Sequence, residues 1–282
     1  MYIDPSLARG IRRSYLLALD EAWVQWHHAQ EVWRRREPVI RMPHAKSFNK
    51  RCRREESLAR RFLPVDGVTL SSGRRRIWAT LSLRRECCNK PGNPWGMSEA
   101  GFGRVVAQVL SYPAGFQDVR VKIRFSGHAI DRVIQRAGVV NLPLQRADIE
   151  AIHASFAGAL IWSCAALNVL ASEPRQPTAG DLCIALPVDH GLFLAVRDDL
   201  LDELVILSFI PSDRLWDEER YALARLRRVG DEGAAVLAGG VLCPELFRGD
   251  APQEWRIQIV QAWRELRWLL REKPDRPGAL GG

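Results

Sequence analysis

The stretch Phe125 to Gly138, FSGHAIDRVIQRAG, organises the chain on both sides of it. The residues before it, Asp118 to Phe125 (DVRVKIRF), suit a strand, and Ser126-Gly127 turns that strand into a helix. Ser126 is a natural N-cap and Gly138 a natural C′ residue. His128, Arg132 and Arg136 stand at i, i+4 and i+8, so each is turned only about 40° from the last. Ile130, Val133, Ile134 and Ala137 fall on the opposite side, which makes the helix amphipathic. The polar stripe is one imidazole and two guanidiniums in a row, a clamp suited to phosphate. A solvated face in an arginine-rich chain has the same pattern.

After this helix, Asn141-Leu142-Pro143 breaks the chain, and a second helix is expected from about Gln145 to Leu170. Its part Ala151 to Ala171 is long enough to span a membrane, but Ala, Ser, Gly, His153 and Asn168 dilute it. It is read as a buried core helix. A loop at Ser172 to Gly180 leads to three strands, Asp181–Pro187, Gly191–Arg197 and Leu204–Pro211. Their short separators favour an antiparallel meander, and their apolar content suggests a sheet packed on the second helix.

Upstream, residues 7–36 read as a helix carrying Trp23, Trp26 and Trp33, with core spacing favoured over base stacking. A second helix covers Ser47 to Phe62, and Val65 to Leu83 reads as a hairpin turning at Ser71-Ser72-Gly73. Cys87 to Gly96, CCNKPGNPWG, suits a linker or surface loop. Ser98 to Leu110 is expected to be a short helix, followed by a turn at Tyr112 to Gly115. Downstream, Ser212 is expected to cap a helix over DRLWDEERYALARLRR. Pro252 opens another helix whose Trp255, Ile259, Trp263, Leu266 and Leu270 form one apolar stripe, and residues 274–282 suit a disordered tail. The expected class is α+β: a strand-helix-helix-antiparallel three-strand meander core with helical N- and C-terminal extensions. The expected division is a basic module over 1–90, the core over 97–218 and a helical extension over 219–282.

The 282 residues carry a net charge of +8, unevenly placed: residues 1–124 hold 24 Lys+Arg against 11 Asp+Glu. From Arg34 to Arg61 there are eleven bases and three acids. A front half of this kind suits a polyanionic partner, with Arg34, Arg35, Arg36, Arg51, Arg53, Arg54, Arg60, Arg61, Arg74, Arg75 and Arg76 as the nucleic-acid contacts. Of the 41 bases 36 are arginine, which favours bidentate phosphate contacts; a GC-rich genome gives the same bias. The six cysteines show no metal or disulfide spacing, and the N-terminus has no signal-peptide pattern, so reduced thiols in the cytoplasm are expected. No phosphate loop, dinucleotide fingerprint, nucleophile elbow or zinc-protease motif occurs, and no cofactor or metal is expected.

The strand leading into S-x-H-A-x-x-R-x-x-x-R, a second helix and a meander resembles the small ribonuclease toxin-like domains of the barnase, colicin-nuclease and RelE-like superfamily. The resemblance covers about residues 118–211. It implies metal-independent RNA cleavage by 2′-hydroxyl attack, with His128 as general acid or base and Arg132 and Arg136 on the phosphate. His190 at a strand start and Ser208 within an apolar strand are further candidates for the catalytic set. RNA is then favoured over DNA as the partner, an inhibitor or antitoxin protein is implied, and no membrane is involved. The long extensions and the apolar strands depart from that pattern, so a non-catalytic nucleic-acid-binding or adaptor protein on a degenerate version of the fold is the alternative.

Overall fold

The computed structural model describes residues 3–36, 45–62, 68–72, 75–85, 103–111, 115–137, 142–172, 184–198, 203–247 and 253–271. Helices α1 (Pro5–Arg36) and α2 (Ala45–Phe62) come first. Strands β1 (Val68–Ser72), β2 (Arg75–Arg85), β3 (Gly103–Ser111) and β4 (Gly115–Phe125) follow. Then come α3 (Gly127–Ala137), α4 (Arg146–Ser172), β5 (Ile184–Val188), β6 (Gly191–Asp198) and β7 (Glu203–Pro211). A 3-10 turn (Ser212–Arg214) leads into α5 (Asp217–Leu242), α6 (Pro244–Phe247) and α7 (Gln253–Arg271).

The protein is α+β, with one seven-stranded sheet in the order β1-β2-β3-β4-β7-β6-β5. Its neighbours are antiparallel except β4 and β7, which run parallel over three residue pairs. The expected unit of strand, two helices and antiparallel meander is present as β4-α3-α4-β5-β6-β7. The helices expected over 7–36 and 47–62 before it, and the two expected after it, are present as well.

Three sequence expectations are corrected. Residues 103–110 form strand β3, not a helix. Val105, Ala107 and Val109 are buried at every second position, and β3 pairs with β2 on one side and β4 on the other. Helix α5 starts at Asp217, not at Ser212. The Glu219 carboxylate accepts from the Trp216 N–H, while the Ser212 N–H donates to the His190 carbonyl. The helix then continues to Leu242, and the Phe247 ring lies where a Cβ on Gly239 would stand, 2.7 Å away. The division at 90–97 is crossed by nine β2–β3 residue pairs, so strands on either side of that stretch are neighbours in one sheet. The Cys87–Gly96 linker, Gly138 and the tail from 274 lie outside the described residues.

One aromatic cluster sits where the helices meet the sheet. Phe156 of α4 stacks on Phe193 of β6 at 5.7 Å between centroids and meets Phe125 of β4 edge-on at 5.5 Å. Tyr15 of α1 lies 6.2 Å from Phe156, and its hydroxyl is 3.3 Å from His153 Nδ1. These buried rings supply both area and geometric preference. Helix α4, the one described helix apolar and long enough to cross a membrane, is mostly buried between this sheet and α5, as a core helix should be. A smaller cluster forms where the second half of α1 meets α2: Trp23, Trp26, Phe48, Cys52 and Trp78 are all buried, so the first two tryptophans are core.

The hairpin between β5 and β6 turns on Asp189 and His190 into Gly191, whose φ is +156°. A Cβ there would stand 2.2 Å from the Ile210 carbonyl oxygen and 2.8 Å from the Pro211 Cα, neither of which can retreat without moving β7. Gly191→Ala is therefore expected to destabilise the fold by about 2 kcal/mol or more. A urea midpoint unchanged from wild type would show that the turn is not constrained in this way.

Candidate functional site

Ser126 positions the candidate site by making three hydrogen bonds at the β4–α3 junction. Its N–H donates to the Ile206 carbonyl at 2.8 Å and its hydroxyl to the Leu207 carbonyl at 2.8 Å. The same oxygen accepts from the Ala129 N–H at 3.1 Å, which caps α3. The helix buries Ala129, Ile130, Val133 and Ile134 and turns its polar stripe outward. His128 and Arg136 are exposed on that stripe and Arg132 is half-buried between them.

The Arg132 Nε–H points at His128 Nε2 across 3.5 Å, the outer limit of a hydrogen bond. The contact needs a neutral imidazole with its proton on Nδ1. Partial burial, and then the Arg132 charge, hold the His128 pKa below its ordinary value of 6.5. A neutral ring beside a guanidinium is a base ready to accept a proton, next to a charge that can hold an anion. One turn further on, Arg136 lies 3.6 Å from the Asp213 carboxylate; both are well exposed, so the pair constrains Arg136 weakly.

Arg136 also opens onto a cavity of about 420 Å3 between α3, α4 and the β5–β6 turn. Its polar lining is Arg136, Ser155, Asp189 and His190, over apolar walls that include Val133, Gly158, Val188 and Phe209. Two of the expected residues, Arg136 of α3 and His190 of the β5–β6 turn, thus line one cavity. His128 and Arg132 lie on the stripe outside the lining of this cavity. Ser208 is not part of the constellation. It pairs with Leu194, and strand alternation turns it to the face opposite Phe209, which lines the cavity.

Sequence reasoning missed Asp189 and Ser155. Asp189 neighbours a singled-out histidine in a two-residue turn, a position that presents side chains at the end of a sheet. Ser155 belongs to a series of small residues on α4, Ala151, Ala154, Ser155 and Gly158, whose helical spacing leaves one side of the helix hollow.

The expected nucleic-acid contacts are spread over several elements. Arg53, Arg54, Arg60 and Arg61 are exposed on α2, and Arg60 pairs with Glu56 at 2.8 Å. Arg51 is half-buried, 3.9 Å from the buried Glu55. Arg76 is half-buried on β2, and Arg74 lies outside the described residues. Arg34, Arg35, Arg36 and Arg75 are described for the backbone alone, within α1 and β2. Among the described residues no three His, Cys, Asp or Glu side chains converge as a metal site. The Cys52 and Cys164 thiols are buried and unbridged, and burial pushes both up to about 12.

Comparison with protein-family models, with curated proteins and with solved structures finds no match to this chain.

The histidine environment has a measurable consequence. In the folded protein the His128 ring should titrate below 6.5, and Arg132→Ala should raise its pKa part of the way back, because burial is the larger cause. The stability tied to this group is present above the unfolded pKa and is lost as pH falls through the lowered folded value. An NMR titration placing the wild-type ring at or above 6.5 would contradict the desolvated arrangement.

Proposed function

We propose that this protein cleaves RNA without a metal cofactor, using the α3 stripe and the adjoining cavity on one phosphodiester. The observation that carries the reading is His128 Nε2 standing 3.5 Å from the Arg132 Nε, on the same helix face as Arg136. His128 takes the proton from the ribose 2′-hydroxyl, and the oxygen attacks phosphorus. The bond to the 5′ oxygen breaks, and that oxygen leaves with a proton donated by His190. The products are a 2′,3′-cyclic phosphate end and a 5′-hydroxyl end. Arg132 and Arg136 offset the charge that builds on the phosphoryl oxygens. Acid, base and cations all come from side chains, which is why the reading is metal-independent.

The need for a 2′-hydroxyl makes RNA rather than DNA the substrate. The exposed arginines of α2 would hold the strand electrostatically. A cytoplasmic setting suits this substrate, and a ribonuclease of this kind would call for an inhibitor or antitoxin protein to protect the cell that makes it. A second reading, a non-catalytic nucleic-acid-binding or adaptor protein, draws on the opposite orientation of Ser208 and the largely apolar walls of the cavity.

The test is incubation of end-labelled RNA with purified protein in EDTA. Wild type should yield cyclic phosphate ends. His128→Ala should lose about 100-fold or more in rate, the scale of a missing general base, and Arg132→Ala should also be severely slowed. Salt-sensitive binding with no cleavage by wild type would replace this reading with the non-catalytic one. Neither binding nor cleavage would leave the stripe as a solvated helix face.

A further inference from the structure

On the far side of the sheet from the Phe125 cluster, three arginines stand side by side on adjacent strands. Arg84 of β2 is in register with Arg104 of β3, and Arg104 with Arg124 of β4. Like charges directly opposite one another across strands repel. The row is held by carboxylates at its two ends. Glu203 of β7 takes Arg104 at 2.8 Å and Arg124 at 2.6 Å, one on each oxygen. Asp20 of α1 takes Arg84 at 3.2 Å, with Arg85 beside it at 3.9 Å. Asp198 of β6 stands opposite Glu203, so negative charge gathers at the β6–β7 end. The β2–β3 end keeps the cationic excess.

A groove of about 480 Å3 opens at that end. Arg84 and Arg104 lie in its lining together with His27, and among the described residues no carboxylate does. Its other wall is apolar: Val106 on the strand, Trp23 packed 5.0 Å from the His27 ring, and Val24, 60% exposed, at the rim. Two guanidiniums, each held by a carboxylate that is not in the lining, form a preorganised anion site. The volume and the apolar wall ask for more than a bare anion. They suit a ligand that joins a phosphate to a flat, weakly polar body.

We propose that this groove binds a nucleoside phosphate, either as a free nucleotide or as one residue of a strand. The phosphate sits on Arg84 and Arg104 and the nucleoside lies along Trp23, Val24 and Val106. The site is separate from the α3 stripe and does not depend on any activity there.

The experiment is calorimetric titration of the full chain, in EDTA, with adenosine 5′-monophosphate, inorganic phosphate and a hexa-adenylate oligomer. The nucleotide should bind more tightly than phosphate. Arg84→Ala removes a charge-assisted contact and should weaken the nucleotide about tenfold. Val24→Glu, a change at an exposed position that spares the fold, should weaken it similarly by placing a carboxylate at the rim. His128→Ala should bind as wild type does, which separates this site from the proposed cleavage site. Binding of the oligomer alone, weakened by the same two changes, would assign the groove to a strand rather than a free nucleotide. No binding of either nucleotide ligand, or binding unmoved by both Arg84→Ala and Val24→Glu in folded protein, would overturn the proposal.

Discussion

Three residue pairs hold the two halves of the sheet together. Ile123, Arg124 and Phe125 of β4 run parallel to Leu204, Val205 and Ile206 of β7, and no other strand contact joins β1–β4 to β5–β7 among the described residues. So short a ladder would be weak alone. It is reinforced on both faces. Phe125 anchors the aromatic cluster on one side, while Arg124 meets Glu203 on the other. Ser126 then extends the ladder by two hydrogen bonds before turning the chain into α3. The helix that carries His128 is therefore fixed by the same few residues that close the sheet.

Much of this core was legible because its signals are local. The stripe of α3, the length of α4 and the closely spaced apolar runs of β5 to β7 each need only their own residues to be recognised. The failures have equally definite causes. Arg104 to Leu110 (RVVAQVL) is a short apolar run that satisfies either period, and pairing on both sides decided for strand. Glycines at 230, 233, 239 and 240 suggest breaks, yet α5 passes through them, with Trp255, Phe247 and Asn168 set against the bare backbone at the last three. The common sheet across residues 86–102 depends on contacts distant in sequence, which composition cannot register.

The candidate site was half legible for a related reason. His128, Arg132 and Arg136 follow from one helix, but the meeting of Arg136 with His190 and Asp189 is a tertiary event. Ser208 lies just beyond a single extra residue on β7. The β6–β7 register shifts between Leu194 and Ala195, so Leu207 is left over on β7 and every side chain beyond it changes face relative to a regular strand. Charge was also less available than a residue count implied. Arg12 spans from α1 to Asp131 of α3 at 2.6 Å, both mostly buried, and burial pushes Asp131 up to about 6 despite that partner. Arg84, Arg104 and Arg124 likewise join one element to another through carboxylates, while Arg51 and Arg60 pair with glutamates inside α2.

The outer edge of β5 limits how the protein can associate with others. Alternation points the Ala185 and Pro187 backbone away from β6. The Trp263 indole N–H already donates to the Ala185 carbonyl at 2.9 Å, Pro187 has no N–H to offer, and the Arg227 guanidinium donates to the Val188 carbonyl beside them. An incoming extended peptide would find one backbone donor and a wall of helix where it needs a continuous row. Along Ile184–Val188, strand addition therefore finds no continuous row of backbone partners.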